Sequence, residues 1–99
     1  MRVVIVDDER LAVLWVQRIL ECRDDIEIVG MFTKYSDLLE EFNRLKPDVA
    51  FMDIDMPGMN GLELAASLIE LDGRLDVVFI TAYDQYALEA FRVNAVDYL

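Results

Sequence analysis

The sequence predicts an α/β fold, a parallel sheet wound with helices on both faces, and three observations carry that prediction. Three runs of four apolar residues, Val3–Val6, Val49–Met52 and Val77–Ile80, are rich in β-branched and aromatic side chains. Runs without polar alternation read as strands buried on both sides, the pattern of parallel sheets. Helical stretches separate them with short connections, and alternating strand–helix units place helices on both sheet faces. Each run also closes on a polar group: Asp7-Asp8, Asp53 and Thr81. The carboxyl ends of strands form the binding crevice of an open α/β sheet, so three carboxylates and a hydroxyl are expected at one edge. Right-handed crossovers leave only a few doubly wound orders.

In chain order, the first strand covers about Arg2 to Val6 and a helix about Asp8 to Cys22. A second strand spans Ile26 to Gly30, and Ser36 is placed to cap a helix reaching Leu45. Lys46-Pro47 stops that helix, because a residue before proline avoids helical backbone. After the third strand, Pro57-Gly58-Met59-Asn60-Gly61 is dense turn chemistry leading into a helix from about Leu62 to Leu71. Asp72-Gly73 ends it. The fourth strand gives way to a helix from about Asp84 to Val93, and Val96 to Leu99 begins a fifth.

The first helix is unusual. Advancing about 100° per residue, Leu11, Cys22, Trp15, Ile19, Ala12, Val16, Leu20 and Val13 fill an arc of roughly 200°. Arg10, Gln17, Glu21 and Arg18 occupy the rest, with Leu14 among them. A helix lying on a sheet needs about half that arc, so this one expects a second neighbour.

Composition narrows the function classes. Ninety-nine residues, 56% of them hydrophobic, suffice for one domain with one core and exclude a disordered chain. A net charge of −11 argues against nucleic-acid binding by this segment. The longest apolar stretch, Leu11–Val16, is far too short to cross a bilayer, and no basic-then-apolar segment opens the chain as a secretory signal would. Cys22 is the sole cysteine, which rules out an internal disulfide and fits a reducing cytoplasm. There is no histidine, the commonest general base and metal ligand.

A lone aspartate at a strand end is more often a turn cap than a functional group. Asp7 and Asp8 beside Asp53 reverse that balance, because clustered like charges are costly unless they share a cation. Hard oxygen ligands at a wet cleft suit Mg²⁺. Thr81 can then donate its hydroxyl to an oxyanion held on Asp53, and the small Ala82 after it leaves access. A carboxylate nucleophile, a divalent cation and a hydroxyl donor make a device for accepting a phosphoryl group.

The run VVIVDDE, the segment PDVAFMDIDMPGMNGLEL and the stretch VVFITAYDQYALEAFRVNAVDYL together resemble a bacterial response-regulator receiver domain, across essentially the whole chain. The last stretch is most similar to receivers that drive LytTR-type or activator-type DNA-binding outputs. The resemblance implies a flavodoxin-like five-stranded sheet of order 2-1-3-4-5 over residues 1–99. It implies that Asp53, four residues before Pro57, accepts a phosphoryl group from a sensor histidine kinase with Mg²⁺, as a phosphoacceptor rather than a turnover enzyme. Asp8 would ligate the metal directly, Asp7 through water, and Asp55 by its backbone carbonyl. Thr81 and Tyr98 match the switch pair. The family places a lysine three residues past the switch aromatic, and a closing helix after it, whereas this sequence ends at Leu99; Lys34 and Lys46 do not match that lysine. The expectation is a receiver cut short, a homodimer or larger assembly burying Val13, Trp15, Val16 and Leu20, with no membrane partner.

Two other readings stay open. Asp53-Ile54-Asp55 mimics the nucleophile loop of haloacid-dehalogenase-like phosphohydrolases, and the fold could serve as a non-signalling interaction module.

Overall fold

The computed structural model describes residues 1–56, 58–80 and 95–98, the last four and residues 55, 56 and 59 by backbone alone. The expected helix over 84–93, together with Thr81, Ala82, Pro57 and Leu99, lies outside the described residues.

The described elements are β1 (Arg2–Val6), α1 (Arg10–Glu21), β2 (Glu27–Phe32), α2 (Tyr35–Leu45), β3 (Val49–Met52), β4 (Asp55–Met56), β5 (Met59–Asn60), α3 (Gly61–Leu71), β6 (Asp76–Phe79) and β7 (Ala95–Tyr98). Five strands form one parallel sheet in the order β2-β1-β3-β6-β7, and β4 and β5 make a separate antiparallel hairpin. Apart from that hairpin, which the sequence did not suggest, this is the expected doubly wound order.

Strand periodicity divides the core between the two faces. Val4, Val6, Ala50, Met52, Val77 and Phe79 pack with Leu38 and Phe42 of α2 and Leu64, Ala65 and Leu68 of α3. Val3, Ile5, Val49 and Val78 face Val13, Val16 and Leu20 of α1. Burying each such side chain contributes about 1.5–3 kcal/mol, so β1, buried from Val3 to Val6, is the anchor of the domain.

Several boundaries differ from expectation for local reasons. Ser36 does not cap α2: the helix already begins at Tyr35, and the N-cap position is Lys34, whose carbonyl accepts from the Leu38 N–H. Helix α1 begins at Arg10 rather than about Asp8, with Glu9 at the N-cap position and no side-chain bond there. Strand β2 starts one residue later than expected and runs two further, following β1 to Val6↔Phe32. At the end of α2 the stop works as read: Lys46 turns left-handed, φ 47°, with its N–H on the Phe42 carbonyl. The end of α3 uses another device, an Asx turn in which Asp72 accepts from Arg74 N–H, rather than a left-handed glycine.

Candidate functional site

Register brings the strand ends together. Val6 sits opposite Met52, and Met52 opposite Phe79. The ladder continues one step beyond: Asp53 N–H donates to the Val6 carbonyl at 3.3 Å and Ile80 N–H to the Met52 carbonyl at 2.9 Å. Asp7 N–H donates to Phe32 at 3.1 Å. Residues immediately after three buried strands therefore share one edge.

Carboxylate oxygens of Asp7, Asp8 and Asp53 lie within 4.8 Å of one another. Asp7 and Asp53 are half-buried and Asp8 is exposed, so the cluster has a protein side and a water side. Asp7 is braced by the Glu9 N–H, which donates to its Oδ1 at 2.9 Å. Its carboxyl is nonetheless pushed up to about 6, by burial first, against the Glu9 bond, and then by the charges of Asp53 and Asp8. Burial and the neighbouring carboxylates thus both disfavour the charged form of Asp7. Three hard oxygen donors open to water on one side fit Mg²⁺, which keeps several waters and takes one or two carboxylates.

The structure thus brings together Asp7, Asp8 and Asp53. Asp55 opens β4 two residues after Asp53, its backbone paired with Asn60. Tyr98 ends β7 opposite Phe79, on the strand beside β6, and Thr81 falls outside the described residues.

Two residues that the sequence reading did not single out shape the loop after Asp53. Asn60 caps α3, its side chain accepting from Leu62 N–H at 2.7 Å; an Asn before a periodic apolar run is a recognisable N-cap signal. Gly61 is buried directly against the Asp53–Ile54 backbone, a contact with no local sequence signal. Among the described residues no helix is long and apolar enough to cross a membrane.

A family model described as the response regulator receiver domain matches residues 3–99. The sensory transduction protein LytT of Bacillus anthracis is 43% identical over 99 residues, all of this chain and 40% of that protein. The transcriptional regulatory protein BtsR of Salmonella typhi is 43% identical over 98 residues, 99% of this chain and 41% of the relative. The chain thus spans well under half the length of these relatives. The crystal structure of the response regulatory domain of mrkE from Klebsiella pneumoniae superposes with a TM-score of 0.91 at 36% identity, covering 100% of this chain and 81% of the other.

Proposed function

The chain belongs to the response regulator receiver family of two-component signalling, and on that premise we propose that residues 1–99 are the unit that takes a phosphoryl group on Asp53. The observation that carries this reading is the Asp7–Asp8–Asp53 cluster at the carboxyl ends of adjacent buried strands.

Asp53 is the nucleophile. One of its carboxylate oxygens attacks the phosphorus of a phosphohistidine on a sensor kinase; the P–N bond breaks, its electron pair leaves with the imidazole, and that ring takes a proton from solvent. The product is an acyl phosphate on Asp53. Mg²⁺, when bound, offsets negative charge on the phosphoryl oxygens. Asp8 and Asp53 would hold it directly, Asp7 through water, and Asp55 through its backbone carbonyl. Thr81 and Tyr98 would take the roles of the family's switch pair, a hydroxyl donor to the phosphoryl group and the aromatic that reports the modified state. The chain does no turnover chemistry. By analogy with the relatives' names, its signal passes to a DNA-binding output, while this acidic segment contacts neither nucleic acid nor membrane and works in the cytoplasm.

Incubation with acetyl phosphate and Mg²⁺ tests the reading. Stable labelling that Asp53→Asn abolishes supports it; turnover without label would support the phosphohydrolase, and neither would leave an interaction module.

A second copy of the chain is the further partner we propose, through a surface that shares only Trp15 with the one the sequence suggested. Val13, Val16 and Leu20 are buried on the sheet, whereas Leu11, Trp15 and Ile19 are 80%, 59% and 49% exposed. The outer face of α1 carries an open groove lined by Leu11, Leu14, Trp15, Gln17, Arg18 and Glu21. Its charges have both signs, so an antiparallel α1 pair turns Arg10 of one copy toward Glu21 of the other. Leu11, Leu14, Trp15 and Ile19 together expose an apolar patch on α1 of the kind that marks an interaction surface. Light scattering should find a dimer at high micromolar concentration that Trp15→Glu dissociates; a wild-type monomer would overturn the pairing.

A further inference from the structure

We propose that Gly61 is a positioning residue for Asp53, holding the backbone of the phosphoacceptor through an approach that any side chain would block; the inference rests on the phosphoacceptor reading. A Cβ built on Gly61 falls inside the contact distance of the Asp53 carbonyl oxygen, 2.7 Å from the Ile54 Cα and 3.0 Å from the Asp53 carbonyl carbon. All three are backbone atoms of the segment carrying the nucleophile. None can swing aside as the end of a flexible side chain could. At Gly30, by contrast, the nearest atoms belong to the side chains of Phe32 and Leu45, and around Gly73 nothing lies within 4 Å.

Backbone freedom is not the reason for this glycine. Among the described residues, the only glycine with positive φ is Gly58, at 82°. Gly61 is the first residue of α3, and its N–H donates to the Ile54 carbonyl. The backbone on either side of Asp53 is therefore held, one side by β1 and the other by the start of α3. Asp53 N–H is tied to Val6 of β1, and the start of α3 closes on the carbonyls of Asp53 and Ile54. The β4–β5 hairpin returns the chain to that point through the Asp55↔Asn60 pairing, and the Asn60 cap fixes where α3 begins. Ile54 is fully buried, so the clamp has a rigid base. Displacing the Asp53 backbone by even about 1 Å would turn its carboxylate out of line with Asp8, and misplacements of that size can cost about 10²-fold in a reaction that depends on alignment.

Three variants, each checked for folding by circular dichroism at low temperature, test the role. Gly61→Ala should weaken Mg²⁺ binding measured by calorimetry about tenfold and slow acetyl phosphate labelling by a comparable factor or more. Asn60→Ala adds no atom at Gly61 and keeps the test usable if Gly61→Ala fails to fold. By loosening the first turn of α3 it should weaken Mg²⁺ a few-fold, whereas loss of a merely structural cap would lower Tm and leave the metal affinity of the folded protein unchanged. Gly73→Ala should match wild type in both measurements. Wild-type Mg²⁺ affinity and labelling in folded Gly61→Ala, or an unchanged affinity in Asn60→Ala, would overturn the positioning role alone. A wild-type chain that takes no label would overturn the phosphoacceptor reading, and this inference with it.

Discussion

The two ends of the sheet treat negative charge in opposite ways. At the amino end several carboxylates meet donors. Asp48 accepts the Arg2 N–H at 2.8 Å, Arg2 reaches the Leu45 carbonyl at the end of α2 and pairs with Glu27 at 3.8 Å, and Asp25 is bonded to Arg23 at 3.3 Å. The Arg23 bond holds the Asp25 carboxyl below its ordinary range. At the carboxyl end three carboxylates crowd together, and Asp7 is raised to about 6, by burial first and then by its neighbours' charge. The same parallel strands run between the two ends, so the difference lies in what each end is for. One end closes the fold, and the other gathers the carboxylates on which the proposed phosphoacceptor role rests.

The largest expected effect that would sharpen this contrast lies at the carboxyl end. Asp8→Ala should weaken Mg²⁺ about tenfold or more in a calorimetric titration. Asp55→Ala should change it far less, because only the Asp55 backbone is asked to coordinate. Equal losses would remove that distinction.

At the amino end the effect should be smaller and of another kind. Asp48→Ala removes a solvent-exposed hydrogen bond to the Arg2 N–H, a contribution of about 0.5–1 kcal/mol. Tm should fall by roughly 2–8 °C for a domain of this size, with Mg²⁺ affinity unchanged. A loss of metal affinity from this distant end would break the division.

A further effect concerns pH. The ordinary carboxyl value of Asp7 is 3.8 and its folded value about 6, so the folded protein holds this proton more tightly than the unfolded chain. Between those values the unfolded state binds fewer protons, and this group's contribution to stability falls as pH rises. In Mg²⁺-free thermal scans, Asp7→Asn should gain on wild type as pH is raised through that window. A constant difference would mean that Asp7 is not strained.

What the sequence disclosed follows the same contrast. The buried strands and the Asp7, Asp8 and Asp53 edge were legible because β-branched runs and their polar endings are local patterns. The stop at Lys46-Pro47 was legible for the same reason. The Ser36 cap was misread because the residue type alone does not fix where the first helical carbonyl falls, which is at Lys34. The β4–β5 hairpin, with two residues per strand, is too short for any periodicity to register. Gly61 was invisible as a site residue because its meaning is its distance from Asp53, a tertiary fact. The apolar breadth of α1 is legible in the sequence, but periodicity does not say which part of the arc meets the sheet. The fold buries Val13, Val16 and Leu20 and leaves Leu11 and Trp15 outside.

The most direct test of the charge cluster's purpose is peptide-level mass mapping after incubation with acetyl phosphate, with and without Mg²⁺. The expected result is a single phosphoryl group, dependent on Mg²⁺, on the peptide containing Asp53. A label on any other carboxylate, or one indifferent to Mg²⁺, would contradict the assignment of this edge as a metal-assisted phosphoacceptor site.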